Sequence, residues 1–238
     1  MELYEIDIPK QILITMPQNE RVFVINLGQF LNEINVLLRG VMFVENHKPD
    51  NDMEMSGWRC QYLYFTRILA SCLYEGWKIL KNAYFGSGLS RKLENEFNDE
   101  TKANLTNIKK YFSSDNDIKK IRNKFGFHYS QETIDDGVKA ISDSDQKYLK
   151  FILGNNRGNN LYLYSDAVVY YSMVHSLTPR EFNKLIQEIY KVCDWFLAFG
   201  AVCIAILLSN HGVTIEKKPI KLDEVPNRGD VTFPFFCQ

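Results

Sequence analysis

The residues best suited to chemistry lie in one short segment, positions 117 to 130, with the sequence DIKKIRNKFGFHYS. Arg122 and His128 stand six positions apart within it. An arginine guanidinium binds phosphate through paired hydrogen bonds, and an imidazole with a pKa of about 6.5 exchanges protons at neutral pH. The two side chains together could therefore hold a phosphodiester and move a proton on it.

Positive charge is concentrated around this pair. Between positions 109 and 124 there are six basic residues against two acidic ones, although the whole chain has a net charge of −1. The basic residues are Lys109, Lys110, Lys119, Lys120, Arg122 and Lys124. A local cluster of this kind attracts polyanions, although a solvated helix face is the commoner explanation for such a run. The near-neutral total argues against a nucleic-acid surface covering the whole molecule.

A helix from Ile118 to about Tyr129 would position the pair. At about 100° per residue, Arg122 and His128 fall on the two edges of one apolar stripe. The stripe consists of Ile118, Ile121 and Phe125. A guanidinium at the edge of a core needs an anionic partner, which could be a carboxylate or the phosphate of a ligand.

Glu75 is the carboxylate that the sequence offers for this role. It falls on the apolar stripe predicted for an earlier helix, three residues after Cys72 and four before Ile79, where a glutamate is unusual. Two interpretations stay open. Glu75 either forms a structural ion pair with Arg122 or orients Arg122 or His128 around a bound phosphate.

The run from Arg122 to His128, RNKFGFH, resembles the signature of the HEPN (higher eukaryotes and prokaryotes nucleotide-binding) family. That signature is an arginine, usually followed by a polar residue such as asparagine, and a histidine a few residues later; here five residues intervene. The pattern RNK…FHY is similar to HEPN proteins of abortive-infection and toxin–antitoxin systems. The resemblance covers Glu20 to Ser130 as a helix pattern and the seven motif residues in detail.

The resemblance implies a ribonuclease that needs no metal and no cofactor and acts as a homodimer whose two motifs share a cleft. His128 would be the general acid or base toward a ribose 2′-hydroxyl or the leaving oxygen. Arg122 would hold the phosphate, and Asn123 would position Arg122 or add a hydrogen bond to the phosphate. The residues expected to guide the RNA backbone are Lys119, Lys120 and Lys124.

Further expectations follow from the resemblance. A toxin of this type would have an antitoxin protein as its partner, and RNA or a nucleotide as its ligand. Tyr129 would support the site, but it follows His128 directly, whereas some HEPN toxins carry a nucleotide-modified tyrosine two positions after the histidine. We therefore expect no such modification. The sequence contains no CxxC or HxxxH pair that would predict a metal site.

Two other functions remain open. The chain could be a HEPN-like bundle without catalysis, serving nucleotide sensing or protein interaction. It could also be an unrelated helical protein in which Arg122 only pairs with Glu75. Cleavage of RNA in the presence of EDTA would separate the first function from these two.

The periodicity of apolar residues predicts a mainly α fold, a HEPN-like helical bundle in a single domain from 1 to 238. Its core spans about 20 to 210, after an extended N-terminal arm from Glu2 to Met16 and before an irregular tail beyond Gly212. The predicted helices are Glu20–Val44, Ser56–Tyr84, Arg91–Phe97, Asp99–Tyr111, Ile118–Tyr129, Asp166–His175 and Thr178–Ser209.

A small β-hairpin is predicted near 148–164. Two apolar runs flank the sequence GNNRGNN there, and asparagine and glycine favour tight turns. The tyrosines of this region could form a stacking surface for bases, but hairpin and core packing is the interpretation that we favour. They are Tyr162, Tyr164, Tyr170 and Tyr171.

Composition favours a cytoplasmic protein without a membrane segment. The five cysteines are scattered and odd in number, which is typical of free thiols in a reducing compartment. The N-terminus lacks the pattern of a signal peptide. The most apolar run, Trp195 to Leu208, is shorter than the roughly 20 residues that cross a bilayer, so we expect a buried core helix.

Overall fold

The computed structural model describes residues 3–126, 130–144, 147–176, 179–222 and 224–237, without the side chains of residues 174–176 and 179–182. It is 70% helical, so the predicted mainly α class is confirmed. Within the described ranges the helices are α1 (Lys10–Thr15), α2 (Gln18–Glu45), α3 (Asp52–Ile79), α4 (Leu89–Leu93), α5 (Asp99–Ser113), α6 (Asp117–Ile121), α7 (Gln131–Ser142), α8 (Leu163–Ser176) and α9 (Pro179–Asn210). Two π-helical turns, Leu80–Phe85 and Arg122–Gly126, continue α3 and α6.

The seven predicted helices correspond to α2 to α6, α8 and α9, whereas α1 and α7 were not predicted. Ser130 caps the start of α7, and its side chain accepts a hydrogen bond from the backbone N–H of Thr133. This is the usual N-cap arrangement. Three small buried residues on one face were too weak a hydrophobic signal for prediction: Thr133, Gly137 and Ala140.

The chain folds as two compact units, each assembled from separated segments. Unit 1 comprises the residues up to Asn35, Cys72–Asp115 and Lys191–Pro226. Unit 2 comprises Val36–Ser71, Asn116–Tyr190 and the residues from Asn227 onward. Helices α2, α3 and α9 supply residues to both units. The expectation of a single domain from 1 to 238 stays a prediction, and the two interleaved units are each described by themselves.

Unit 1 has an aromatic core. Tyr84 is fully buried, with its ring 5.4 Å from that of Phe23 and 5.8 Å from that of Phe199. Phe30 meets Phe196 edge-on at 4.9 Å. Each buried phenylalanine contributes roughly 1.5–3 kcal/mol relative to an exposed one, so these rings hold α2, α9 and the first π-helical turn together.

One buried carboxylate also joins the helices of unit 1. Glu20 on α2 accepts hydrogen bonds from Lys92 Nζ at 2.6 Å and is 2.5 Å from His211 Nε2. Burial alone would raise the pKa of Glu20, but the bonds and charges of Lys92 and His211 outweigh it and lower that pKa. The buried charge is therefore compensated, as such charges must be.

The N-terminal arm is extended only at its start. The strand β1 (Leu3–Glu5) pairs antiparallel with β2 (Lys218–Ile220), with Leu3 opposite Ile220. Helix α1 (Lys10–Thr15) then occupies 6 residues of the stretch that was predicted as an extended arm. The tail beyond Gly212 is otherwise irregular, apart from one 3₁₀ turn at Arg228–Asp230.

Unit 2 is built around the close packing of α7 and α8. Gly137 on α7 lies so near α8 that a Cβ atom there would stand 2.2 Å from the backbone oxygen of Val168. The C-terminal tail is attached to the same unit through Asn46, whose side chain donates to the backbone oxygens of Arg228 and Val231.

The predicted hairpin near 148–164 consists of one antiparallel bridge between Ile152 and Leu161. Both backbone hydrogen bonds of that bridge form, at 2.9 and 3.0 Å. The chain therefore turns back on itself where the sequence predicted it, but the pairing is too short to make two strands, and α8 begins at Leu163.

Helix α9 is longer than its most apolar run. Asn183–Asn210 has 28 residues, and its most apolar window of 18 residues has a mean hydropathy of 2.2, enough in length and composition to cross a membrane; 44% of that window is buried. The run from Trp195 to Leu208, on which the expectation of no membrane segment rests, is thus only part of a longer helix, and that expectation stays a prediction. The core helix of a soluble protein passes the same test, and α9 does bury Phe196, Phe199 and Cys203 completely.

Candidate functional site

The segment that carries the predicted motif is a short helix followed by a wider turn. Asn116 caps α6 by accepting a hydrogen bond from the N–H of Lys119 at 2.9 Å. The predicted apolar stripe is confirmed, since Ile118, Ile121 and Phe125 are all at most 5% exposed. The regular α-helix predicted to Tyr129 is wrong, because the α-helical geometry ends at Ile121 and changes to a π-helical turn.

Arg122 is the first residue of this π-helical turn and is half-buried, as predicted for the edge of the stripe. Its Nη1 donates to the side-chain oxygen of Asn123 at 3.2 Å. This bond fixes the orientation of the Arg122 guanidinium relative to Asn123. Single π-helical turns are frequent at functional sites, since the extra residue re-aims neighbouring side chains.

A second arginine, Arg67 of α3, reaches the same turn. Its Nη1 donates to the backbone oxygen of Phe125 at 3.5 Å. The Nε of Arg67 is buried and has no hydrogen-bond partner among the residues that the structure describes. A buried guanidinium N–H calls for an acceptor, and a phosphate oxygen is one that arginine binds well.

The approach of α3 to the turn is close. A Cβ atom on Gly126 would lie 2.6 Å from the Oγ of Ser71, and that Oγ donates to the backbone oxygen of Arg67 at 2.8 Å. Only glycine fits at the end of the turn with Ser71 in place. Gly126, Ser71 and Arg67 therefore fix where the turn lies against α3.

Sequence reasoning missed Arg67. A signal existed, since an arginine directly follows Thr66, which is 1% exposed, and precedes the buried Leu69 and Ala70 by two and three positions. The predicted stripe for this helix, which included Phe65 and Ile68, was displaced from the buried face, so Arg67 was not recognised as a residue beside the core.

Cys60 and Asp166 lie near Arg67 within unit 2. Burial, then the hydrogen bond and charge of Asp166, raise the pKa of Cys60 to about 12, while the charge of Arg67 acts in the opposite direction. A thiol with this pKa stays protonated at neutral pH and is a poor nucleophile. Cys60 therefore does not offer covalent chemistry to the site.

The predicted RNA-guiding lysines differ in their surroundings. Lys119 is half-buried, Lys124 is exposed, and Lys120 pairs with Asp117 at 3.2 Å. Lys109 and Lys110 belong to unit 1, where the ammonium of Lys109 stands 4.8 Å from the ring centroid of Phe85. In unit 2 the basic cluster is thus carried by the residues from Lys119 to Lys124.

His128 and Tyr129 lie outside the described residues. On the near side the π-helical turn reaches Gly126, and on the far side Ser130 has an extended backbone and caps α7. His128 therefore stands in sequence between two helical elements.

The buried placement predicted for Glu75 is wrong. The buried face of this part of α3 and its extension contains Leu73, Leu80 and Tyr84, and the side chain of Glu75 is 50% exposed. Its carboxylate pairs with Lys78 of the next turn at 2.9 Å. Glu75 belongs to unit 1, whereas Arg122 and Arg67 belong to unit 2.

Unit 2 also contains an aromatic pocket of about 120 Å³. Trp58 of α3 and Phe235 of the tail are among the residues that line it, together with His47 and Glu54. None of the residues from Lys119 to Gly126 lines it. Across the described residues, no three histidine, cysteine, aspartate or glutamate side chains gather in a way that could hold a metal ion.

Comparison of the chain with known protein families, with curated proteins and with solved structures found no match in any of the three.

Proposed function

We propose that the chain is a metal-independent endoribonuclease of HEPN type that acts on RNA phosphodiesters through Arg122 and His128. The observation that carries the proposal is the setting of Arg122. It is half-buried on a π-helical turn, held by the neutral oxygen of Asn123, and six positions before His128. A guanidinium binds the oxygens of a phosphate through paired hydrogen bonds.

Arg67 supports the same proposal independently of the motif. Its Nη1 binds the backbone of the turn while its buried Nε has no partner among the described residues. Two arginines at one turn suit a phosphodiester, whose two free oxygens both accept hydrogen bonds. Arg122 would hold the reacting phosphate, and Arg67 would hold the turn and supply a further cation.

The reaction requires one base and one acid. The imidazole of His128 removes the proton of a ribose 2′-hydroxyl, and the 2′-oxygen forms a bond to phosphorus. The bond from phosphorus to the 5′-oxygen breaks, and that oxygen takes up a proton. Arg122 stabilises the negative charge that develops on the phosphate oxygens. The products are a 2′,3′-cyclic phosphate and a 5′-hydroxyl end.

A second copy of the chain has a defined part in this mechanism. One imidazole cannot be the base and the acid in the same step, so two motifs in a shared cleft would supply a second imidazole for the leaving oxygen. A cytoplasmic ribonuclease of this kind damages its own host, and an antitoxin protein in an abortive-infection or toxin–antitoxin system is the corresponding partner.

Incubation of the purified protein with single-stranded RNA and excess EDTA tests the proposal. We expect cleavage by the wild type and a loss of about 100-fold or more in Arg122→Ala and in His128→Ala, with both variants folded. Arg59→Ala is the matched control, because it removes an exposed arginine of α3 in the same unit. Equal rates in Arg122→Ala and the wild type would overturn the proposal, and RNA binding without cleavage would favour the non-catalytic HEPN-like module instead.

A further inference from the structure

The side chains next to the single bridge between Ile152 and Leu161 lie on two opposite faces of the paired segments. In an antiparallel pair, a step forward on one strand is matched by a step back on the other. Since Ile152 opposes Leu161, Phe151 opposes Tyr162. Side chains alternate between the two faces along each arm. Leu161 is 3% exposed on one face, and Phe151 and Tyr162 lie on the other.

The second face carries a cluster of rings. Phe151 and Tyr162 stack with centroids 4.6 Å apart and planes at 18°. Tyr164 meets both edge-on, at 6.5 Å from Phe151 and 6.3 Å from Tyr162. We call these three residues the aromatic platform.

The aromatic platform is exposed, contrary to the packing role that we favoured for its tyrosines. Phe151 is 46% exposed, Tyr162 49% and Tyr164 47%. The neighbouring Leu153 and Tyr148 are 72% and 80% exposed. Exposed apolar residues in such a group indicate a surface that binds something.

The charge around the aromatic platform indicates the chemistry of its partner. The stretch from 147 to 165 contains three basic residues, Lys147, Lys150 and Arg157, and no acidic residue, and it is flanked by Asp143, Asp145 and Asp166. All three are exposed. Exposed rings and exposed cations in one stretch of the chain suit a polyanion that also presents flat, apolar groups, which is the chemistry of single-stranded nucleic acid.

The turn beyond the platform is held in place by its own side chains and by the tail. The amide of Asn160 accepts from the N–H of Gly154, and that of Asn156 accepts from the N–H of Gly158, both at 3.0 Å. The side chain of Asn159 makes two hydrogen bonds to the backbone of Cys237. A fixed turn keeps the platform ready for a ligand, which reduces the entropy lost on binding.

We propose that the aromatic platform is a binding site for single-stranded RNA, on which unpaired bases stack while Lys147, Lys150 and Arg157 attract the backbone. The choice of RNA over DNA rests on the proposed ribonuclease function, whereas the site itself rests on the exposed rings and the charge. Stacking on a ring is tolerant of sequence, so the platform holds substrate without selecting bases.

The test is the affinity for a short, fluorescein-labelled oligouridine, measured by anisotropy in EDTA with all proteins in the Arg122→Ala background so that the probe stays intact. We expect Phe151→Ala and Tyr162→Ala each to weaken binding about ten-fold. Tyr162→Phe should retain the affinity, because it keeps the ring. Tyr64→Ala is the control, since Tyr64 is an exposed tyrosine of the same unit, 51% exposed on α3.

Three results would overturn the inference. The first is an affinity for oligouridine that stays within about two-fold of its starting value in both alanine variants. The second is an equal loss of affinity in Tyr64→Ala. The third is a change in oligomeric state with unaltered RNA binding, which would make the platform a protein interface. Failure here is separate from failure of the proposed function. A chain that cuts RNA but binds it equally without the platform loses only the platform, and a chain that binds through the platform but cuts nothing loses only the nuclease.

Discussion

The guanidinium of Arg67 binds the backbone oxygen of Phe125, 3.5 Å away, and so ties α3 to the turn on which Arg122 lies. The side chain of Phe125 also anchors this turn, since it is only 5% exposed. The turn is therefore held by an apolar contact and by a cation at once. A cation in that place both positions the motif and adds to its positive charge.

Replacement of Arg67 by methionine separates these two effects. We expect Arg67→Met to lower the free energy of unfolding by about 1 kcal/mol, because one long hydrogen bond is lost, and to weaken RNA binding and cleavage about ten-fold or more. Thermal unfolding and oligouridine affinity check the two parts. Arg59→Met should change neither, and a variant that loses stability while keeping full RNA affinity would reduce Arg67 to a structural role.

Asn123 should affect the reaction without affecting the fold. Asn123 is exposed, so Asn123→Ala should change stability by less than about 0.5 kcal/mol. It should slow cleavage about ten-fold, because the guanidinium of Arg122 loses the amide oxygen that orients it. Asn123→Asp should slow it further, since a carboxylate in the same place would pair with Arg122 and compete with the phosphate. Wild-type rates in both variants would contradict a positioning role.

The close approach of Gly126 to α3 predicts a strain that one further change relieves. Gly126→Ala should destabilise the protein by about 1–3 kcal/mol, because its Cβ would stand 2.6 Å from the Oγ of Ser71. Ser71→Ala removes that oxygen and leaves the Ser71 Cβ at 3.6 Å, an ordinary contact. In the double variant we expect at least about 1 kcal/mol of the loss to be recovered, as measured by denaturant unfolding. Simple additivity of the two changes would mean that the turn does not lie against Ser71.

Thiol reactivity tests the burial of the cysteines. Burial raises the pKa of Cys60, Cys72 and Cys203 to about 12, and that of the buried Cys193 also rises. Protonated, covered thiols react slowly, so in the native protein at pH 8 only the exposed Cys237 should react at once with a thiol reagent. Cys237→Ser should abolish the fast phase. Two or more fast thiols would contradict the packing described here.

The raised pKa values of the cysteines make the free energy of unfolding depend on pH in a predictable direction. An unfolded cysteine ionises near its ordinary value of 9.0, whereas Cys60, Cys72 and Cys203 in the folded protein stay protonated to about 12. Between these values the unfolded chain binds fewer protons than the folded one, so the free energy of unfolding falls as the pH rises. Chemical unfolding at pH 8 and pH 10 should show that the free energy of unfolding falls less between these pH values in Cys203→Ala than in the wild type. An equal loss would mean that the Cys203 thiol is not shielded in the native state.

Helix existence could be predicted from the sequence, because long amphipathic runs such as those of α2 and α9 carry a strong period. The stripe through Ile118, Ile121 and Phe125 was likewise placed correctly from its spacing alone. The π-helical turn at Arg122 was not predicted; the residues that lie against it, Arg67 and Ser71, are distant in sequence, so local periodicity gives no sign of them.

The misplaced Glu75 shows the limit of assigning faces on a long helix. An error of one position in the stripe of α3 turns an exposed residue into an apparently buried one, and Glu75 in fact pairs with Lys78. The two interleaved units were hidden for a related reason. Three of their five boundaries fall inside continuous helices, after Asn35, Ser71 and Tyr190, where composition gives no linker signal.

The chemistry of the product ends tests the central claim most directly. A defined oligoribonucleotide is incubated with the wild-type protein in excess EDTA, and the masses of the fragments are determined. We predict 2′,3′-cyclic phosphate and 5′-hydroxyl ends, and no cut at a position where a single 2′-deoxynucleotide replaces the ribonucleotide. Fragments with 5′-phosphate ends, or cleavage that continues at the 2′-deoxy position, would contradict an Arg122–His128 ribonuclease.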